Sequence, residues 1–324
     1  MLNKKLKNFK TIYRKFCKNE VSLPLFSKDW WLDSVVGADN WDVSLVIKNE
    51  EVIASMPYIR KKRLGMHIST LPELTKYLGP WFKTNNNKYS KILGQQKAIM
   101  EELIKQLPNF DYFSQNWFHN KTNWLPFYWN GFKQTTNYTY CIDDLTDLDQ
   151  VWSNFQENIR SDIKKSINRY NLAIKESPSI KDFIIINKKV FERQNIKVPY
   201  SEEVILRIDE ACAHHKSRKI FLAVDKNNVI HAGVYIVWDN QYAYYLMSGG
   251  DPKLRNSGAT SFCLWEAIKF ASTVTKKFDF EGSMIEPIEK YIRAFGAKQK
   301  LIFTISKTPS FLLRLRSSLI SLIK

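Results

Sequence analysis

The stretch QYAYYLMSGGDPKLRNSGAT (241–260) holds the residues best suited to chemistry. Alternating aromatics, Tyr242, Tyr244 and Tyr245, read as a strand that ends at Ser248-Gly249-Gly250. A polar loop follows, and Arg255-Asn256-Ser257-Gly258-Ala259-Thr260 leads into a stretch of helical period. A helix N-terminus offers unpaired N–H groups and the positive end of the helix dipole, and a basic residue stands at its mouth. That combination suits a pyrophosphate. An ordinary strand–helix connection with a Ser/Thr cap is the other reading. Under the first, a Gly258→Val side chain would block the phosphate while leaving the fold largely intact. Covalent and metal chemistry find no support. The chain has no Cys/His or Ser/His/Asp constellation, His214-His215 read as helix-surface residues, and the five histidines show no metal spacing.

The elements around this loop repeat. LVIKNEEVIASMPYI (45–59) aligns without a gap on LAVDKNNVIHAGVYI (222–236), with Leu45/Leu222, Val52/Val229, Ile53/Ile230, Tyr58/Tyr235 and Ile59/Ile236 identical. Each reads as a hairpin: a β-rich run, a polar turn and a second β-rich run. Helix-period stretches follow at 92–106 and 260–275, then short strands at Phe110–Phe113 and Phe278–Phe280. Tyr128…Phe132…Ile142 is matched by Tyr291…Phe295…Ile305. Four echoes in one order predict a duplicated α/β unit. The region between reads as mostly helical. It carries Arg160, Lys164, Lys165 and Arg169 on 146–172, and a Ser201-capped helix over 201–216.

Composition narrows the partners. The 324 residues contain 49 Lys+Arg and 32 Asp+Glu, a net charge of +17, which favours anionic partners. Residues 1–18 and 307–324 hold 11 of the 17 surplus charges, so the body is only mildly basic. The four cysteines, Cys17, Cys141, Cys212 and Cys263, are scattered, which fits a reducing cytoplasm. Residues 1–18 do not read as the apolar core of a signal peptide and no 18-residue apolar run is found, so a protein that stays out of the bilayer is expected.

The motifs resemble a known superfamily. A strand followed by R-x-x-G-x-[A/G/T] opening a helix resembles the acyl-CoA pyrophosphate loop of GNAT acyltransferases, with Arg255, Gly258 and Thr260 on the pattern. The run Asp279-Phe280-Glu281-Gly282-Ser283-Met284-Ile285-Glu286-Pro287, then Tyr291-Ile292-Arg293-Ala294-Phe295-Gly296-Ala297, resembles the C-terminal signature of the FemA/FemB-like branch. Tyr77-Leu78-Gly79-Pro80, Tyr138-Thr139-Tyr140 and the basic helix Arg160-x-x-Ile163-x-Lys165 match further features. Members of that branch carry two tandem GNAT-like domains. The resemblance implies an α/β (α+β) fold, each domain a mixed, mostly antiparallel sheet flanked by helices. The expected boundaries are 20–145 for an acceptor-side domain, 146–308 for a donor-side domain and 309–324 for a C-terminal helix packing back on the first.

It also implies transfer of an acyl or aminoacyl group to an amine, a reaction that needs a proton acceptor and oxyanion donors. Glu281 and Asp279, with Tyr245 across a cleft, are the candidates, although strand-end capping is the alternative for Asp279. Donor binding falls to Arg255, Asn256, Ser257, Gly258, Ala259 and Thr260. Acceptor binding falls to Tyr58, Arg60, Tyr77 and Trp81, which would suit a sugar or nucleotide, unless Tyr58 and Trp81 are core residues. Arg160, Lys290 and Arg293 join them. Branch members often carry Lys where Ile292 stands here, and Lys290 and Arg293 flank that position.

The expected activity is N-acylation, from acyl-CoA, of an amino sugar or peptide amine on a nucleotide- or lipid-linked envelope glycan or peptidoglycan precursor, without a metal. An aminoacyl-tRNA donor and a non-catalytic binding module are the alternatives. The expected site is the cytoplasm, with peripheral contact to an anionic membrane. Pro309 is placed to open a helix with Leu312, Leu315, Leu319 and Ile323 on one stripe and Arg314, Arg316 and Lys324 beside it.

Overall fold

A computed structural model describes residues 2–84, 86–175 and 178–315. The chain divides into two compact units, Met1–Asn137 with Leu301–Lys324, and Tyr138–Lys300.

The first unit opens with helix α1 (Leu2–Asn19) and α2 (Asp29–Val36). Strands β1 (Trp41–Lys48) and β2 (Glu51–Ile59) form the first hairpin, paired antiparallel with a bulge at Val46/Ile47. Strands β3 (Lys61–Arg63), β4 (Met66–Ser69) and β5 (Trp81–Phe82), helix α3 (Tyr89–Lys105) and strand β6 (Tyr112–Trp117) follow. Helix α4 (Leu125–Trp129) leads to β7 (Lys133–Ile142), which ends in the second unit. Strand β5 pairs with β2, and β4 runs parallel to β6.

The basic N-terminus is built into this unit. Tyr13 is fully buried and Cys17 nearly so, in a cluster with Leu32, Trp41 and Trp81. Arg14 holds Asp33 through two nitrogens, at 2.7 and 2.8 Å, and reaches Asp29 at 3.3 Å. Lys10 lies 4.0 Å from the Trp41 ring centroid. The surplus charge of residues 1–18 therefore belongs in part to a packed helix, and the first unit begins well before residue 20.

The second unit continues with α5 (Leu148–Ser153), α6 (Glu157–Asn168), β8 (Ala173–Ile174), α7 (Ile180–Arg193) and α8 (Glu202–His214). Asp147, Ser179 and Ser201 cap α5, α7 and α8 by accepting from the N–H three residues on. The second hairpin is β9 (Arg218–Val224) and β10 (Ile230–Trp238), again antiparallel and again bulged, between Ile230 and Ala232. Strand β11 (Ala243–Gly250) pairs with β10, helix α9 (Ala259–Ala271) follows, then β12 (Phe278–Asp279), α10 (Glu286–Arg293) and β13 (Lys298–Lys307). Strand β12 is parallel to β11 and antiparallel to the end of β7. The last residues of β13 return to the first unit and pair with β6.

Every echo in the sequence is thus an element in both halves: a hairpin, a helix, a short strand and a closing strand. Helix α9 is apolar enough to be a central element, with Phe262, Cys263, Leu264, Ala267, Ile268 and Ala271 in the core of the second unit. All four cysteines are free and buried. Among the described residues no helix is long and apolar enough to cross a membrane. Of the expected C-terminal helix, 311–315 is helical with Phe311, Leu312 and Leu315 exposed; 316–324 lies outside the described residues.

Candidate donor cleft

Strand β11 starts beside β12 and leaves it. The two pair only at Ala243/Phe278 and Tyr244/Asp279. A bulge in the β10–β11 ladder falls at Leu246, since Tyr235 pairs with Met247 while Ile236 pairs with Tyr245. Past the bulge β11 runs to Ser248-Gly249-Gly250 over α7. A Cβ on Gly249 would lie 2.5 Å from the Asn187 backbone nitrogen, so only glycine permits this approach. Asn187 Nδ2 donates to the Ser248 carbonyl at 2.6 Å and fixes the strand end.

A cleft of about 410 Å³ opens at this point, within the size range of small-molecule sites. Its walls are the end of β11, the loop 251–258, the first turn of α9, and residues of α6, α7, β10 and α10. Helix α9 has Gly258 at its N-cap and no side chain caps it. Its first N–H groups have no partner within the helix. Gly258 is left-handed at φ +74°. Ser257 turns inward: its hydroxyl donates to the Leu254 carbonyl at 2.7 Å, and its carbonyl accepts from Ser166 Oγ at 2.6 Å.

Of the six residues assigned to the donor, Arg255, Ser257, Gly258, Ala259 and Thr260 line the cleft and Asn256 does not. Arg255 is exposed and makes no ion pair among the described residues. Two acids in the wall are already neutralised, Asp162 by Lys165 at 2.7 Å and Asp251 by Lys189 at 2.6 Å. The lysine hydrogen bond holds the Asp251 carboxyl below its usual value.

Asp279 is fully buried. Its Oδ1 accepts from Thr139 Oγ1 at 2.5 Å and from the Glu281 N–H at 2.7 Å, so it anchors the loop after β12. Glu281 is half-buried on that loop in a left-handed conformation, φ +58°. Tyr245 is half-buried, 6.4 Å from Phe280 between ring centroids, and burial pushes its phenol up to about 12. Tyr291, not among the expected site residues, lines the cleft with its hydroxyl 3.0 Å from Ser261 Oγ. Burial first, and then the neighbouring Tyr245, raise it well above the usual tyrosine value. Both phenols keep their protons at neutral pH.

The remaining assignments divide. Tyr58, Tyr77 and Trp81 are core side chains of the first unit, at most 5% exposed. Tyr77 packs edge-on against Phe26 and Phe118, and Trp81 against Phe16, with its Nε1–H on Ser22 Oγ at 3.0 Å. Their faces are covered, so they offer nothing for a ring to stack on, and the stacking expectation is corrected there. Arg60 is exposed beside Asp42 at 3.5 Å. Arg160 donates to the Ser153 carbonyl at 3.0 Å. Arg293 pairs with Glu289 at 2.9 Å, Lys290 is exposed, and Ile292 between them is core. His231 and Arg193 also line the cleft; they sit on elements distant in sequence and carry no local motif.

Residues 153–283 match the acetyltransferase (GNAT) domain family. No curated protein sequence matches the chain. Among solved structures, FemX is similar with a TM-score of 0.66 at 12% identity, over 91% of this chain and 95% of that one. A conserved protein of unknown function from Bacteroides thetaiotaomicron VPI-5482 is similar with a TM-score of 0.57 at 13% identity, over 93% and 96%. The C-terminal domain of a putative lysylphosphatidylglycerol synthetase from Agrobacterium fabrum gives 0.53 at 9% identity, over 99% and 97%.

Proposed function

We propose that the chain, whose residues 153–283 match a GNAT acetyltransferase domain and whose fold is similar to that of FemX, is an N-acyltransferase, and that an acyl-CoA donor occupies the cleft at the N-terminus of α9. The observation that carries this reading is the uncapped first turn of α9 opening into a cleft whose wall acids are already paired, with Arg255 unpaired beside it. Unpaired N–H groups, a helix dipole and a cation together favour a pyrophosphate. Among the described residues the first unit lacks the long strand and the glycine of this device, although α3 also starts without a side-chain cap. Strand β5 there pairs with β2 as β11 does with β10, but it is two residues long, and the N-cap of α3 is Lys88 rather than glycine.

The reaction follows from the thioester. An amine nitrogen attacks the carbonyl carbon, the C–N bond forms, the C–S bond breaks, and the amine loses a proton. Glu281 is the proton acceptor of this reading, on a loop pinned by Asp279. Tyr291, protonated at neutral pH and 3.0 Å from Ser261 Oγ, gives its proton to the departing sulfur, so that coenzyme A leaves as the thiol, and takes a proton back from solvent. Asp279 is a positioning residue.

The acceptor of this reading is an amino sugar or peptide amine on a nucleotide- or lipid-linked envelope precursor. The net charge of +17 suits an anionic acceptor and a peripheral contact with anionic membrane, where exposed Phe311, Leu312 and Leu315 flank Arg314. The test is mass spectrometry of the protein incubated with acyl-CoAs and with amino-sugar nucleotides or peptidoglycan-type peptides. An acceptor gaining one acyl mass with release of free coenzyme A supports the reading. Salt-sensitive binding of tRNA without binding of coenzyme A replaces the donor by aminoacyl-tRNA. Binding of neither leaves a non-catalytic module.

A further inference from the structure

Strands β3 and β4 form a short hairpin in which β3 is the edge strand, with Lys61 opposite Ile68, Lys62 opposite His67 and Arg63 opposite Met66. Neighbours along a strand point to alternate faces. Lys61 and Arg63 therefore stand on one face and Lys62 on the other. All three are exposed, and none makes an ion pair among the described residues. Both faces of β3 thus present cations to solvent. The hairpin is nevertheless held at its base. The His67 N–H donates to Asp111 Oδ2 and the His67 carbonyl accepts from the Asp111 N–H, both at 2.8 Å, and Ile68 and Ser69 pair in parallel with β6. Arg60, just before β3, faces Asp42 at 3.5 Å.

The tip breaks a rule that the β1–β2 hairpin keeps. Its two-residue turn is Leu64-Gly65, at φ +50° and +79°. Such turns need the left-handed region at both positions, which Asn, Asp and Gly accept and a branched apolar side chain does not favour. The β1–β2 turn has the same length between Lys48 and Glu51, and it places Asn49 at the first position, at φ +48°, with Glu50 second. Leu64 gains nothing from the fold in return. It is 87% exposed, the most exposed large apolar side chain among the described residues. A local choice that costs stability and buries nothing marks a functional position. Lysines on an edge strand also guard against association between strands, but that role does not call for a leucine at a strained tip.

We propose that the β3–β4 hairpin is a membrane-docking element: Leu64 enters the headgroup layer of an anionic bilayer while Lys61, Lys62 and Arg63 meet the lipid phosphates. Cations on both faces and an apolar tip fit a planar anionic surface entered end-on. A nucleic-acid backbone would satisfy the cations but offers the leucine no apolar surroundings. The hairpin lies outside the contact proposed above for 311–315, and its role needs no acyl donor.

The test is co-sedimentation of the full-length protein with vesicles of phosphatidylcholine and of its equal mixture with phosphatidylglycerol. Wild type binds the mixed vesicles, more weakly as salt rises, and not the neutral ones. Replacing the three cations together, Lys61→Gln, Lys62→Gln and Arg63→Gln, weakens binding about 100-fold. Leu64→Asn weakens it about tenfold, with an unchanged or raised melting temperature because asparagine suits the turn. Replacing Lys91, Lys105 and Lys133, exposed lysines elsewhere in the first unit, with glutamine removes the same charge and leaves binding as in wild type. Should the first triple variant self-associate, as loss of an edge guard would allow, Leu64→Asn decides. Failure of wild type to bind the mixed vesicles, equal binding by wild type and the hairpin variants, or equal losses in both triple variants overturns the inference. Salt-sensitive binding of tRNA that depends on the three cations but not on Leu64, without vesicle binding, overturns it in favour of nucleic acid. Coenzyme A titrated into the same proteins keeps the two readings apart: its failure to bind removes the donor and leaves the hairpin result standing.

Discussion

A Cβ placed on Gly258 would stand 2.5 Å from the carbonyl oxygen of Asp162, on a backbone already at φ +74°. The glycine is therefore required where the loop crosses α6, independently of any ligand. The expectation that Gly258→Val blocks a phosphate and spares the fold is overturned by this contact. Gly258→Ala is expected to cost at least about 2 kcal/mol of stability through strain and overlap with the helix backbone. Urea denaturation measures it, and an unchanged midpoint would show that the loop can move away from α6.

Asp279 and Glu281 are two positions apart and do different work. Glu281→Gln removes the proton acceptor but keeps the backbone N–H that Asp279 holds, so turnover is expected to fall by about 10²–10⁴ with donor affinity and melting temperature unchanged. Asp279→Asn weakens a buried acceptor of two hydrogen bonds and is expected to lower melting temperature and activity together. Steady-state kinetics beside thermal unfolding separate the two. A Glu281→Gln enzyme of full activity would remove Glu281 from the mechanism.

Trp81 is expected to behave as a core residue. It packs against Phe16 of α1 at 5.0 Å between ring centroids. Trp81→Ala is expected to cost about 3–5 kcal/mol, read by chemical denaturation. A folded variant of wild-type stability that loses only acceptor affinity would restore the binding role.

The hairpins, helices and closing strands were legible because their cues are local. Polar turns sit between β-rich runs, and the helical period continues through 260–271. The strand–loop–helix connection at 243–271 was legible for the same reason, since strand, glycine and helix start are contiguous. Tyr58, Tyr77 and Trp81 misled because an aromatic face is read as free until the element that covers it is known. For Trp81 that element is α1, whose seven bases among residues 1–18 masked the apolar face made by Phe9, Ile12, Tyr13 and Phe16. His231 and Arg193 come to the cleft from a strand start and a helix end far apart in sequence, and neither position carries a local motif.

Asp42 supplies a pH-dependent check on the first unit. Burial raises its carboxyl above the usual value, outweighing the Val43 N–H and Arg60. A folded pKa above the unfolded one means that Asp42 favours the fold below the unfolded value of 3.8 and loses that contribution as pH rises through the folded value. Asp42→Asn keeps an acceptor for Val43 and is expected to be more stable than wild type at pH 7. The difference should close as pH falls toward 3.8. Denaturation midpoints at several pH values measure it; a variant less stable at neutral pH would mean that the Arg60 pair outweighs desolvation.

The most direct measurement is the titration of coenzyme A into wild type and Thr260→Asp. An acidic residue in the first turn of a helix favours the helix dipole, so Thr260→Asp should fold with an unchanged or raised melting temperature. The same charge would stand in the cleft proposed for the pyrophosphate. The account predicts one coenzyme A bound per wild-type chain and none measurable to the variant. Equal binding by both proteins, or none by wild type, would contradict it.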